Sequence, residues 1–506
     1  MSITADNVSY AWSSSSESSD VADKPYLTKE LLYVIDNNGS KNYSRNQVQF
    51  ETIALSNNGK WCDYKNGFVS IPLVTTLTST VDMTVDNLAV QMKSGNHNII
   101  DSIIIDYGNN NVVQQNSNLN AYLSFKQHTT LSENDVKING RTTGYRKDEN
   151  NWDYKNKTGI VNNHVGLNPS LDHNSTLYTT QQEKVLSNNN VRQSGDNHLE
   201  IIDAKHHVFY YDCIVRLKDL LFFEKLPMVR GANVKITINL NQSETSYTIV
   251  GSDVGAVTKL QLNGATNPMM RTQYQDLTDR TETMVTKVVS NGAYDHVKNQ
   301  CRLYVPVYTF SPEAEKSYLS IGQKRIVYED IFVQHIRDLP AGSNFQNLLT
   351  NSLARMQRLV IVPMLSKSAN GTVGWTPQES PFATEPSTCS PCFIRDFNVQ
   401  LSGSNLYKQN IQFKYEHFLN ELNGSNGVNA NLVDGLCSSL IDMKDYNNNF
   451  GYIVVDLSRR YSYDDNTPMS VQISGSIQSQ KNLDFLCFIT YQKDIAIDLV
   501  TGQQVV

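Results

Sequence analysis

The stretch VKITINL, Val234 to Leu240, decides the fold class. Val234, Ile236, Ile238 and Leu240 fall on one side of an extended chain, while Lys235, Thr237 and Asn239 fall on the other and face water, because successive strand side chains point to opposite faces. Outward from it, FNVQL at Phe397 to Leu401 repeats the alternation, and VQFETIAL at Val48 to Leu55 follows it more loosely. SIIID (Ser102 to Asp106) and YIVVDL (Tyr452 to Leu457) are continuous apolar runs that read as buried strands. Asn-Gly pairs at 38–39, 58–59, 139–140, 263–264, 291–292, 370–371 and 423–424 supply the positive φ angles that tight turns need. The spacing therefore predicts an all-β chain from end to end.

Helical spacing is confined to short pieces: Leu217, Leu220, Leu221 and Glu224 to Leu226 ahead of Pro227; Phe345, Leu348 and Leu349; Tyr415, Phe418, Leu419 and Leu422 ahead of Gly424; and Val433, Leu436, Cys437 and Leu440. These predict short helices in the connections. Strands and helices do not alternate regularly, so a doubly wound parallel sheet is not expected.

A chain of 506 residues accommodates two all-β domains of roughly 200–250 residues each. SSSSESSD at Ser13 to Asp20 carries almost nothing that a core could bury, so residues 1–28 read as an N-terminal arm. A turn-rich, charged stretch over residues 265–298 suggests the division: a first domain over 29–280 and a second over 281–506. Residues 109–197 are long, polar and weakly periodic, which predicts an insertion forming an elaborated surface loop of the first domain.

Charged residues make up only 18% of the chain and the formal net charge is -7, with no basic run of the kind a phosphate-binding surface requires. Direct or sequence-specific nucleic-acid binding is thus not expected. The apolar runs fall far short of the ~20 residues that span a bilayer, so no membrane span is expected. MSITADNVSYAW lacks the charged start and apolar core of a signal peptide, and synthesis and assembly inside a cell are expected. The seven cysteines are odd in number and scattered, which reads as reduced, buried thiols and not as a disulfide framework.

Several constellations carry residue types capable of chemistry. Cys389 and Cys392 form a CxxC, but no second pair or nearby histidines complete a zinc site, so a loop with two free thiols is the preferred reading. His206 and His207 follow Glu200 and Asp203, yet adjacent strand residues point to opposite faces and do not act as joint ligands. They read as the opening of the strand VFYYDCIV, and His417 as a helix-surface residue. YSYDDNTP at Tyr461 to Pro468 reads as a solvated hairpin turn, not a cation loop. The Asn-x-Ser/Thr triplets at Asn42, Asn174 and Asn423 read as chance occurrences in an Asn-rich chain. No Walker loop, GxSxG elbow or HExxH helix occurs, and no catalytic, cofactor-binding or metal residue is assigned.

Five segments resemble the major capsid proteins of Polinton-like viruses, relatives of virophage and adenovirus-type capsids. They are ELLYVIDNNGS (Glu30 to Ser40), QVQFETIALSNNGKWCDYKNGFVSIPLV (Gln47 to Val74), VRLKDLLFFEKLPMVRGANVKITINLN (Val215 to Asn241), FNVQLSGSNLY (Phe397 to Tyr407) and YIVVDLSRR (Tyr452 to Arg460), in the expected order across both halves. The resemblance implies two upright eight-stranded jelly rolls per chain, a homotrimeric, pseudo-hexagonal capsomer, and an icosahedral double-stranded DNA virion built with neighbouring capsomers and minor or penton proteins. It implies a structural protein without enzymatic activity. The alternatives are a carbohydrate-binding or carbohydrate-cleaving β-sandwich, whose many tyrosines would stack on sugars, and a minor capsid or fibre protein.

Overall fold

A computed structural model describes residues 25–37, 43, 47–82, 88–92, 95–108, 111–136, 138, 199–241, 243–250, 256–264, 269–273, 280–288, 300–320, 322–365, 394–424, 440–448, 450–459, 466–478 and 482–505. Sixteen strands frame it. The first eight are β1 (Tyr26–Ile35), β2 (Gln47–Glu51), β3 (Phe68–Ser79), β4 (Ile100–Tyr107), β5 (Asn111–Asn116), β6 (His206–Arg216), β7 (Val234–Leu240) and β8 (Arg302–Phe310). They form two facing sheets with strand orders β1-β8-β3-β6 and β2-β7-β4-β5. The second eight are β9 (Gln323–Leu339), β10 (Asn344–Leu353), β11 (Met356–Leu365), β12 (Ile394–Leu401), β13 (Ser404–Asn405), β14 (Ile453–Asp456), β15 (Met469–Ile477) and β16 (Leu483–Asp498). Their orders are β9-β16-β11-β14 and β10-β15-β12-β13, the first pattern with every label raised by eight. In both sets the chain passes between sheets so that the first strand lies beside the last, which is the jelly-roll topology. The molecule is therefore a double jelly roll.

VKITINL is β7, the strand between β2 and β4. Val234, Ile236, Ile238 and Leu240 are buried as expected, but so is Thr237, which was expected to face water. Its partners on either side are Gln49 and Ile104, and these longer side chains shield the short threonine. The strand Arg280–Val288 continues the first sheet by pairing with Leu73–Ser79 of β3, and hairpin partners Ser243–Val250 and Ala256–Gly264 extend it further.

Four sequence expectations are corrected. The first roll is completed only by β8, whose partners are β1 and β3, so strand pairing carries Arg280–Val288 and Arg302–Phe310 with the first half and not the second. The seam lies instead at helix α3 (Pro312–Leu319), where Ser311 caps the first turn, Pro312 presets φ and Glu313 and Glu315 favour the positive helix end. Secondly, β1 starts at Tyr26, inside the residues assigned to the arm; residues 1–24 lie outside the described ones. Thirdly, the start of the supposed 109–197 loop is core: β5 completes a sheet, and helix α1 (Leu119–Thr130) is buried on nearly every side. Residues 139–198 lie outside the described residues.

Finally, Phe345, Leu348 and Leu349 belong to strand β10, not a helix. The alternation runs unbroken through this part of the strand, so two apolar neighbours point to opposite faces: Leu349 is buried and Leu348 exposed. The other helical readings hold at Leu217–Asp219 with α2 (Phe222–Lys225) and at α4 (Tyr415–Gly424). The Val433 to Leu440 helix falls on residues of which only Leu440 is described.

Candidate functional site: an inter-roll seam and an open sheet face

Two surfaces stand out, one closed and one open. The closed surface joins the rolls. Helix α1 lies in the connection from β5 to β6 of the first roll, yet its aromatic residues reach the second. Tyr122 packs on Phe488 with ring centroids 5.6 Å apart, Phe125 meets Tyr452 edge-on at 5.2 Å, and His128 meets Phe450 at 4.6 Å. The Tyr122 hydroxyl donates to Glu329 at 3.0 Å, and burial pushes its own ionisation far above the ordinary tyrosine range.

Phe345 of the facing sheet touches Phe485, so odd-numbered residues in this part of β16 look into the second roll. Phe488 looks out, together with its cross-strand partners Val333 on β9 and Val360 on β11, and Val454 on β14 continues the row. Three of these four, Phe488, Val360 and Val454, are fully buried, on a sheet face against which Tyr122 of α1 is packed.

A polar relay crosses the same seam. The Phe222 backbone N–H donates to Gln114 at 3.1 Å, Gln114 donates to Asn116 at 2.5 Å, and Asn116 donates to the Asp330 carboxylate at 2.7 Å. Asp330 also accepts from Lys493 at 2.5 Å and from Tyr491 at 3.1 Å. Burial opposes charge on Lys493, but the adjacent Asp330 outweighs it and holds the ammonium above the ordinary lysine value. Tyr328 adds a hydrogen bond to the Val113 carbonyl at 2.6 Å and an edge-on contact with Phe222 at 5.1 Å. Each member of this relay has a hydrogen-bond partner, and the relay ties the two rolls together.

The open surface is the same outward face on the first roll. Leu303, Val305 and Val307 of β8 point inward and are buried, so Arg302, Tyr304, Pro306 and Tyr308 point outward. Their partners on edge strand β1 are Ile35, Tyr33, Leu31 and Lys29. Leu31 is 55% exposed, Tyr33 52% and Ile35 42%. Phe68 of β3 stacks on Tyr304 at 4.8 Å, Tyr33 leans on Tyr304 at 5.8 Å, and the Arg302 guanidinium lies 5.1 Å from the Tyr33 ring centroid. Contiguous apolar surface of this kind on a water-facing sheet marks an interaction site.

The sequence candidates are placed as follows. His206 and His207 open β6 as expected: His206 is half-exposed and pairs with Asp203 at 2.8 Å, while His207 is fully buried. His417 is half-buried on α4, with its ring 5.9 Å from that of Phe413. Cys62, Cys213, Cys301 and Cys487 are buried free thiols, and burial raises the Cys62 thiol to about 11. Cys389, Cys392, Asn42, Asn174 and most of Tyr461 to Pro468 lie outside the described residues. Among the described residues, no group of three His, Cys, Asp or Glu side chains is placed to hold a metal ion, and no helix is long and apolar enough to cross a membrane.

Sequence reasoning missed both surfaces. Leu119, Tyr122 and Leu123 at helical spacing were the available signal for α1. For the open face it was the alternation of Leu31, Tyr33 and Ile35 in an edge strand.

No protein-family model matches the sequence, and no curated protein matches it. Solved structures do. A chain of the Sputnik virophage structure determined by cryo-EM aligns with a TM-score of 0.57 at 12% identity, over 97% of this chain and 90% of that one. The crystal structure of the mavirus major capsid protein aligns at 0.50 and 12% identity, over 97% and 92%. At such identity the likeness is one of fold, and it extends over both jelly rolls.

Proposed function

We propose that this chain is the major building block of an icosahedral virus shell, that it works as a homotrimer, and that it is a structural protein and not an enzyme. The observation that carries this reading is the repeated topology: two jelly rolls of identical strand order, joined by an aromatic and hydrogen-bonded seam, make one chain a pair of similar wedges. Three such chains around an axis present six wedges, a footprint suited to a hexagonally surrounded lattice position. The mavirus relative in fold is a major capsid protein, which supports the same role here. Neighbouring capsomers and minor or penton proteins would be the further partners, with residues 1–24 as the arm that reaches them.

Size exclusion with light scattering tests the first step. The expected mass is about three times the 57.0 kDa chain, persisting at micromolar dilution because so large an assembly needs an extensive interface. Electron microscopy of particles formed by the protein should then show hexagonally arrayed capsomers. A monodisperse monomer that forms no arrays, and that turns over or binds glycans specifically, would place the carbohydrate reading ahead.

A further inference from the structure

We infer that a buried polar site where the two rolls meet, formed by Lys324, Tyr107, Gln504 and Asn233, binds a small monovalent anion such as chloride. It stands apart from the shell reading and needs no second chain.

Strand pairing brings these residues together. Lys324, near the start of β9, lies opposite Ile497 of β16, and Ile497 lies opposite Gln504 of the C-terminal strand Gln504–Val505. Directly opposed residues share a face, so Lys324 and Gln504 flank Ile497, which is fully buried. The C-terminal strand passes close over the end of β4: a Cβ on Gly108 would lie 3.1 Å from the Gln503 Oε1 and 3.9 Å from the Gln504 nitrogen. Tyr107 ends β4, and the Gly108 N–H donates to the Asn233 carbonyl at 2.9 Å, which sets Asn233 beside it. Tyr318 of α3 joins the group. The Lys324 Nζ lies 3.7 Å from its ring centroid, and its hydroxyl is near enough to that of Tyr107 for a charge on Tyr318 to oppose the ionisation of Tyr107.

Each of the four residues holds a polar atom that is shut off from solvent and has no hydrogen-bond partner: Lys324 Nζ, Tyr107 Oη, Gln504 Oε1 and Asn233 Oδ1. Lys324 is only 7% exposed and Tyr107 0%. Orphaned buried polar atoms are rare in folded proteins, and their gathering at one junction marks a place for a guest. Electrostatics selects its class. Burial alone shifts the ionisation of Lys324, so no carboxylate among the described residues stands near enough to neutralise it. A water there would complete hydrogen bonds and leave the charge unpaired, which is the costlier defect, whereas an anion offsets it. The ammonium and the Tyr107 hydroxyl both donate, as an anion requires. The carbonyl oxygens of Gln504 and Asn233 take the two protons of one accompanying water, whose oxygen accepts from the same ammonium. The rings of Tyr318 and of Phe222, the latter edge-on to Tyr107 at 5.9 Å, leave room only for a small ion. Tyr107 and Asn233 belong to the first roll and Lys324 and Gln504 to the second, so the bound anion ties the rolls together.

The test uses the full chain. Protein is dialysed into gluconate, an anion too large for the site, and chloride is restored at constant ionic strength while thermal unfolding is followed. The midpoint should rise by about 1 °C for each tenfold increase in chloride beyond half-saturation, as linkage requires of a chain this long. Lys324→Met should start above wild type in gluconate and show no response, so that chloride narrows the difference. Tyr107→Phe should need several-fold more chloride for the same rise. Arg325→Met, which removes an exposed guanidinium paired with Asp494 one position away, should respond as wild type does. Crystals of the wild type grown in bromide give a readout that needs no variant: anomalous scattering beside the Lys324 Nζ supports the inference. A chloride response of equal size in Lys324→Met reports general salt effects and overturns it. So does a site that holds water and no bromide.

Discussion

Lys324 sits where a charge is costly. Its Nζ is shut off from water without a hydrogen-bond acceptor, 3.7 Å from the centroid of the Tyr318 ring, and burial lowers its ionisation to about 8. Below about 8 the side chain is protonated in both the folded and unfolded states, and the full penalty applies. Between there and the ordinary lysine value of 10.5, the unfolded chain holds a proton that the folded one has released, so this site's contribution to stability rises with pH. Lys324→Met should accordingly be more stable than wild type at pH 7, and the gap between their urea midpoints should narrow as pH rises from 8 to 10. A constant gap would show that the ammonium is not desolvated. Gly502 offers a second residue-scale test at the seam. Its φ is +69°, and a Cβ there would lie 2.2 Å from the Arg230 carbonyl oxygen and 2.7 Å from the Ala232 nitrogen, both backbone atoms of the first roll. Gly59, at φ +70°, has no atom within 4 Å of such a Cβ. Gly59→Ala should therefore cost only the ~1–2 kcal/mol of left-handed backbone, and Gly502→Ala clearly more in the same denaturation experiment. Equal costs would mean that the close approach of the two rolls at Arg230 yields freely.

Among the elements, α1 shows why part of the fold escaped the sequence. Asn120, Ser124, Gln127, His128 and Thr129 are all buried along with its apolar residues. Wedged between two rolls, the helix has no water-facing stripe, so the amphipathic pattern that reveals a surface helix is missing. Two of its polar side chains bond back to the helix: Thr129 donates to the Phe125 carbonyl at 2.9 Å and Ser124 to that of Asn120 at 2.9 Å. By contrast β7 was legible at every position but Thr237, because a strand with one fully buried face must alternate. Strand β10 was misread because it carries an apolar residue, Leu348, on its exposed side and a polar one, Asn347, on the inward side, which leaves Phe345, Leu348 and Leu349 at helical spacing. The load on α1 can be separated by chemistry. Phe125→Ala should cost roughly 3–5 kcal/mol, as for other buried aromatics. Tyr122→Phe keeps the ring on Phe488 and loses only the bond to Glu329, whose partly exposed carboxylate can take water instead, so about 1 kcal/mol is expected. Denaturant titration of the two variants measures both. If Tyr122→Phe proved as damaging as Phe125→Ala, the Glu329 contact would hold the helix, and the aromatic packing would be secondary.

At the scale of the whole molecule, the doubling is plain in topology and invisible in sequence. A jelly roll asks of each strand only alternation, length and an inward apolar face, and many sequences meet those demands, so the two rolls share strand order without sharing residues. The seam was equally hidden: Gln114, Asn116, Asp330 and Lys493 look like ordinary surface polar residues until folding brings Asn116 within hydrogen-bond distance of Asp330, 214 positions away, and Asp330 within reach of Lys493. That seam determines how the molecule should unfold. One continuous cluster of buried apolar residues runs from Tyr43 in the first roll to Ile497 in the second, and includes Tyr122, Phe125, Phe222, Tyr328, Tyr452 and Phe488. Opening either roll alone would bare the other's face of that cluster and strand Asp330 and Asn116 without each other, a penalty comparable to the stability of a whole domain. Calorimetry should therefore show the two rolls melting in a single transition, with its midpoint rising with protein concentration if the chain is an oligomer. Phe125→Ala should move that transition down as a unit. Two resolved peaks in the wild type, with one of them unmoved by Phe125→Ala, would show that the rolls are independent domains and that the seam is a contact without a structural role.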